Sequence, residues 1–250
     1  MTKDNLDKQP QKIRQMFGKI APRYDLLNRL MTFGQDMGWR REAISRLNLE
    51  PGDIVLDIAT GTGDIALQIH KEYPGTQVIG CDFAPEMLWI AQKRPGGEAI
   101  FWVIADANSL PFANESMDGV TSGYLLRNTA SLSRTLEEHL RVLAPGASFS
   151  SLDTTPPPDN LLKPWIKLYL RVIIPLLGRL VSGEEDAYQY LSKSTEAFWS
   201  AEEIAEMIRH AGFAMVGFTR KMLGTMAIHW GRKPERENQV SANPTANSRL

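Results

Sequence analysis

The residues best placed to do chemistry are two glycines and a spaced set of carboxylates. Val55-Leu56-Asp57-Ile58-Ala59-Thr60-Gly61-Thr62-Gly63-Asp64 reads as a strand running into a glycine-rich turn and then a helix. Gly61, Gly63 and Ala66 fit the Gly-x-Gly-x-x-Gly/Ala pattern, in which the missing side chains let the backbone approach a nucleotide closely. Asp82 follows about 20 residues on, where an acidic residue meets ribose hydroxyls. The pattern alone admits NAD, S-adenosylmethionine or a tight turn with no ligand.

The charges around the turn favour one of these. A pyrophosphate seeks an uncluttered helix N-terminus. Here Asp57 closes the strand and Asp64 opens the helix, and both repel phosphate. S-adenosylmethionine has no phosphate, and its sulfonium and ammonium tolerate carboxylates. Asp106-Ala107 comes after a third strand, where a carboxylate can accept a bond from the adenine amino group. Any single Asp here also suits a cap or turn, and Asp64 suits the helix dipole as well as it suits a ligand.

These residues need a parallel sheet to position them. The pattern predicts strands at 54–58, 77–82, 100–105, 117–122 and 148–152, with helices at 64–72, 85–92 and about 131–143 between them. Alternation of this kind gives an α/β, Rossmann-like, mostly parallel sheet with helices on both faces. Segments 213–218 and 226–230 would close it as sixth and seventh strands. Ser200, with Glu203 three residues on, predicts a capped helix over 201–211. Segment 11–49 reads as an N-terminal helical cap and 156–198 as a helical insertion or lid, both within one domain over 11–233. The polar ends, 1–10 and 234–250, read as disordered tails.

Composition narrows the setting. The chain of 250 residues has a formal net charge of -1, which gives no general electrostatic reason to bind nucleic acid. Cys81 is the single cysteine, so no internal disulfide forms and no metal-ligand spacing exists. A reducing, cytoplasmic setting is expected. Segment 161–181 is apolar but carries Lys163, Lys167, Arg171 and Arg179. It suits a lid, or a peripheral contact at the inner face of a membrane, rather than a spanning helix.

The series from Asp57 through Asp82, Asp106, Leu110-Pro111-Phe112, Met117-Asp118 and Arg141-Val142-Leu143-Ala144-Pro145-Gly146 resembles class I S-adenosylmethionine-dependent methyltransferases. A narrower resemblance is to the UbiE/MenG/COQ5 family of quinone-biosynthesis C-methyltransferases. It rests on Phe17-Gly18-Lys19-Ile20-Ala21-Pro22-Arg23-Tyr24-Asp25-Leu26-Leu27-Asn28, Met31-Thr32-Phe33-Gly34, Trp39-Arg40, Leu126-Arg127-Asn128 and Ala187-Tyr188-Gln189-Tyr190-Leu191. The chain departs from the family pattern at Leu125, where glycine is usual, at Gly123, where serine is frequent, and at Leu152-Asp153-Thr154-Thr155.

The resemblance implies S-adenosyl-L-methionine bound by Asp57, Ala59, Gly61, Thr62, Gly63, Asp82, Phe83, Met87, Asp106, Ala107 and Gly123. It implies methylation of a ring carbon of a prenylated quinol: demethylmenaquinol, or alternatively a ubiquinone precursor. Ring carbons attack best from a phenolate. Arg127 would stabilise that phenolate, Asn128 would bond the quinol oxygen or the cofactor, Tyr24 and Asp25 would close the pocket from the N-terminal helices, and Asp153 would take a proton through water. The plainer reading pairs Arg127 with a carboxylate and packs Tyr24 in a core. None of His70, His139, His210 and His229 falls in a motif, so structural or exposed roles are expected. Outside this class, an NAD(P)-dependent oxidoreductase or a non-catalytic binding module on the same fold stays open, as does an oligomer.

Overall fold

Ile54–Ile58 is almost wholly apolar, and its side chains alternate between two packed faces. Leu56 and Ile58 join Val120, Phe149, Leu136 and Ile204 in one cluster, and Val55 joins Val78, Ile65, Ile69 and Ile44 in another. A strand buried on both faces belongs at the centre of a sheet, and β1 (Ile54–Ile58) lies there. The computed structural model describes residues 15–16, 18, 20–182, 190 and 194–236. Its sheet comprises β1, β2 (Gln77–Asp82), β3 (Phe101–Ile104), β4 (Met117–Gly123), β5 (Leu143–Thr154), β6 (Ala214–Lys221) and β7 (Met226–Arg232). The strand order is β3-β2-β1-β4-β5-β7-β6. The first five strands pair in parallel, and β7 lies antiparallel between β5 and β6.

The expected elements are present, with β5 and β6 longer than the sequence pattern indicates. Helices α3 (Asp64–Glu72), α4 (Pro85–Gln92) and α5 (Leu132–Val142) follow β1, β2 and β4. The expected cap of α8 (Ala201–His210) is a complete capping box. Glu203 N–H donates to Ser200 Oγ at 3.2 Å, and Ser200 N–H donates to Glu203 Oε2 at 2.8 Å. Because the chain leaves β1 toward β2 and later returns to β1's other side as β4, a crevice opens at the carboxyl ends of β1 and β4.

Two helical layers cover that crevice. The first is α1 (Tyr24–Met31) with α2 (Asp36–Ser45). The second is the insertion, built as α6 (Lys163–Leu168), a π-turn over Tyr169–Ile173, and α7 (Ile174–Ser182). Ile166, Leu170 and Ile174 pack on Leu27 and Met31, and Tyr169 O–H donates to the Met31 carbonyl at 2.6 Å. Of the expected tails, 1–10 and 237–250 lie outside the described residues, as does the Ala187-Tyr188-Gln189 part of the motif around Tyr190. No helix among the described residues is long and apolar enough to cross a membrane.

Candidate active site

The turn after β1 is built for close approach. Ala59, Gly61 and Gly63 all have positive φ, at 55°, 57° and 85°. Thr60 N–H donates to the Cys81 carbonyl and Gly63 N–H to the Thr60 carbonyl, both at 2.9 Å, so the turn is tied to β2 and to itself. A Cβ on Gly61 would meet nothing within 4 Å, because it would project into the crevice. A Cβ on Gly63 would lie 2.8 Å from the Trp102 ring and 3.1 Å from Ala91. Gly63 is not among the cavity-lining residues. It lets the turn pack on Trp102 and forms the left-handed N-cap of α3.

Of the expected site residues, Tyr24, Asp57, Ala59, Gly61, Thr62, Asp82, Phe83, Met87, Asp106, Ala107, Gly123 and Asn128 all line one cavity at the crevice. Asp57 is fully buried. Its Oδ2 accepts from Thr60 Oγ1 at 2.6 Å and from Ala66 N–H at 3.1 Å. Its Oδ1 has no partner among the described residues. Burial pushes the Asp57 carboxyl up to about 7, against the pull of those two bonds. Asp82 accepts from Gly61 N–H and Ala84 N–H, each at 2.8 Å. Asp106 Oδ1 accepts from Asn108 N–H at 2.8 Å.

Asp64 differs from the expectation. Its carboxylate is shared by Arg40 Nη1 at 2.6 Å, Arg94 Nη1 at 2.7 Å and Arg29 Nη2 at 3.2 Å. Burial works to raise its carboxyl, but those guanidinium charges outweigh burial and hold it below the ordinary range. Asp64 thus gives the turn no net negative field, and the case against a pyrophosphate rests on Asp57. Arg40 and Asp25 also line the cavity. Arg40 bonds Asp36 at 2.6 Å, and Arg29 also pairs with Asp36. Thr62 Oγ1 donates to Asp25 Oδ1 at 2.7 Å, and Arg94 donates to Asp25 at 3.2 Å and to the Thr62 carbonyl at 2.9 Å. This network latches α1 and α2 onto the turn. Sequence reasoning missed it as a network, because its members are scattered from Asp25 to Arg94; the N-terminal signature with Asp25 and the Trp39-Arg40 match pointed that way.

Arg127 and Asp153 are not in the cavity lining. Arg127 is 3% exposed, with Nε 3.9 Å from Asp153 Oδ1 and Nη1 donating to Thr154 Oγ1 at 3.1 Å. Asp153 accepts from the Arg127 N–H at 3.2 Å and from Thr154 N–H at 2.7 Å. Burial raises its carboxyl against the charge of Arg127. The plainer reading of Arg127 as half of an ion pair therefore describes its contacts, and Asp153, expected as a proton acceptor through water, lies buried outside the cavity lining. Arg127 still acts on the cavity at short range, with its guanidinium carbon 5.4 Å from the Tyr124 ring. Burial raises the Tyr24 and Tyr124 hydroxyls. For Tyr24, a bond with Asn28 and the charges of Arg127 and Arg40 oppose the rise; for Tyr124, the charge of Arg40 is the main opposition. Both tyrosines stay neutral. Asn128 donates to the Tyr124 carbonyl at 2.7 Å and accepts from Tyr190 O–H at 3.3 Å, so its amide is engaged at both ends. Leu125 and Gly123, two of the departures noted above, line the cavity as well.

No histidine lines the cavity. His139 and His229 are buried, and burial lowers each to about 4. They bond the carbonyls of Thr135 and Ala201, at 2.6 and 3.0 Å.

A six-parallel, one-antiparallel sheet with its cavity at the β1/β4 switch point defines a Rossmann-like class I methyltransferase fold. A solved S-adenosylmethionine-dependent methyltransferase of Thermotoga maritima shares that fold, with a TM-score of 0.63 at 18% identity over 88% of this chain and 99% of that one. The chain belongs to the ubiE/COQ5 methyltransferase family, whose model matches residues 5–233. It is 50% identical over 221 residues to the ubiquinone/menaquinone biosynthesis C-methyltransferase UbiE of Desulfotalea psychrophila, covering 88% of this chain and 90% of that one. It is 42% identical to the demethylmenaquinone methyltransferase of Thermus thermophilus, covering 88% of this chain and all of that one.

Proposed function

We propose that this protein uses S-adenosylmethionine to methylate a ring carbon of demethylmenaquinol, giving menaquinol, within a single domain spanning 11–233. The observation that carries the cofactor assignment is Asp57 Oδ1, a buried acceptor with no partner among the described residues, near the end of β1 and beside a turn whose Gly61 leaves open space. A buried carboxylate oxygen without a donor is costly, and a ligand ammonium supplies the donor. Asp82 would receive the ribose hydroxyls and Asp106 the adenine amino group. When bound, the cofactor supplies an electrophilic methyl group on sulfur. Tyr24, Tyr124 and Asn128 line the same cavity, where the ring would lie. A phenol ionises near ~10 in water. Neutral tyrosine hydroxyls donate to a quinol oxygen, and Arg127, held behind them by Asp153, adds a positive charge that favours its phenolate. Arg127 is thus a positioning and field residue.

The acceptor follows the names of the relatives. The test incubates the protein with methyl-labelled S-adenosylmethionine and demethylmenaquinol, in parallel with a demethylated ubiquinone precursor, and follows labelled quinone by mass spectrometry. Label in menaquinol is expected. Label only in the ubiquinone precursor would reassign the acceptor, and no label in either quinone despite cofactor binding would remove the activity.

A second reading concerns where the reaction takes place. Leu161, Trp165, Leu168, Val172, Leu176 and Leu180 face outward from the insertion, with Trp165 70% exposed. Segment 161–181 carries four cations and no carboxylate. An apolar surface with this charge fits the interface of an anionic bilayer, the phase that holds a prenylated quinol. Co-sedimentation with phosphatidylglycerol vesicles is expected, and it should be lost in Trp165→Ser/Leu168→Ser. Equal pelleting of that variant would refute the contact.

A further inference from the structure

Bound S-adenosylmethionine would bring a carboxylate as well as two cations into this cavity, and that anion needs a partner. Five carboxylates line the cavity: Asp25, Asp57, Asp64, Asp82 and Asp106. Among the described lining residues, Arg40 is the one cation. It enters from α2, a segment of the cap that cofactor motifs do not include.

Arg40 is 3% exposed, so its charge is held in place rather than solvated. Both of its ion contacts, to Asp36 and Asp64, use the same nitrogen, Nη1. Nε and Nη2 make no hydrogen bond among the described residues, and neither is sealed from solvent. An arginine with one edge pinned and the other open to a cavity is prepared for a planar, bidentate acceptor. The local balance also permits it. Arg29, Arg40 and Arg94 face Asp25, Asp36 and Asp64. Burial and the neighbouring Asp64 charge raise the Asp25 carboxyl. Arg40 and Asp57 act on one another electrostatically across the same cavity, so a zwitterion could engage both.

We propose that Arg40 receives the α-carboxylate of the cofactor's amino-acid end, opposite the ammonium at Asp57. This assignment rests on the methyltransferase reading above. It makes the cap part of the cofactor site, so closing α2 over the turn completes cofactor recognition.

Isothermal titration with two ligands tests it. One is S-adenosylmethionine. The other is its decarboxylated form, which keeps the sulfonium and the amine. The wild type should bind S-adenosylmethionine about 10- to 100-fold more tightly than the decarboxylated ligand, the range expected of charged hydrogen bonds. Arg40→Met should erase that ratio and leave affinity for the decarboxylated ligand unchanged. Arg40→Lys should give an intermediate ratio. If Arg40→Met does not fold, Arg40→Met/Asp36→Asn removes the partner charge and is measured instead. If Arg40 only holds the cap in place, both ligands weaken in proportion and the ratio survives, which would overturn the assignment. A wild type that binds neither ligand would remove the methyltransferase reading and this assignment with it.

Discussion

The two glycines of the turn look equivalent in sequence, and the structure gives them opposite duties that a pair of alanine substitutions separates. In Gly63→Ala, φ of 85° costs an L-residue ~1–2 kcal/mol, offset by ~0.4–1 kcal/mol from the stiffer unfolded chain. The new Cβ also lies 2.8 Å from the Trp102 ring. That ring is held in place, because its Nε1 donates to the Gly97 carbonyl at 2.8 Å and it also lies flush against Gly80. Overpacking of this kind adds ~1–3 kcal/mol. The sum is about 3 kcal/mol, equivalent to roughly 9 °C in Tm for a domain of this size. Gly61→Ala carries only the backbone cost, about 1 kcal/mol or roughly 3 °C, but its Cβ projects into the cavity where the proposed cofactor would lie. Thermal melts and titration with S-adenosylhomocysteine measure both. Gly63→Ala should lose stability far more than Gly61→Ala, and Gly61→Ala should lose affinity far more than Gly63→Ala. A Gly63→Ala melt matching wild type, or Gly61→Ala binding like wild type, would refute the division.

Further predictions concern the buried charges. Between pH ~4 and ~7 folded Asp57 keeps a proton that the unfolded chain has released, so ligand-free stability falls as pH rises through that window and levels off above it. Asp57→Asn should therefore melt higher than wild type at neutral to alkaline pH, melt like it in acid, and bind cofactor weakly; equal melts across the range would contradict the assignment. Arg127→Met strands Asp153 and should cost ~3–5 kcal/mol in a denaturant titration, with Arg127→Met/Asp153→Asn recovering most of it. If the guanidinium also favours the phenolate, that double variant stays slow despite its stability, and full activity would refute the field role. Arg94→Gln should speed amide exchange in Tyr24–Met31 without changing it in β1, because its bonds to Asp25, Asp64 and the Thr62 carbonyl tie cap to turn; unchanged exchange would show the latch to be idle.

The sheet was legible in sequence because β1, β2 and β3 are short, largely apolar runs with Gly or Asp at or just beyond their ends, and they alternate with helical segments. Asp57, Asp82 and Asp106 were legible for the same reason. The roles of Asp64 and Gly63 were not. Each depends on side chains distant in sequence: three arginines from two cap helices and the segment after α4, and an indole from β3. Arg127 was found as a motif, but its place behind the cavity wall depends on β5 presenting Asp153 at the adjoining strand end. Local pattern specifies a strand and its end; it does not specify which distant partner satisfies a charge.

The antiparallel β7 has a consequence for the order in which the protein can be made. It is synthesised after the other six described strands, yet it pairs on both sides, with β5 through Ser148–Arg232 to Thr154–Met226 and with β6. Until it leaves the ribosome, β5 ends the growing sheet as an open edge carrying Phe149 and Leu152, and β6 has no strand to join. The cavity-forming half, β1 to β4, can assemble early on the nascent chain, but the sheet closes only when residues near Arg232 emerge. A ribosome stalled before Met226 would therefore present a nearly complete cofactor turn beside an exposed, chaperone-binding edge.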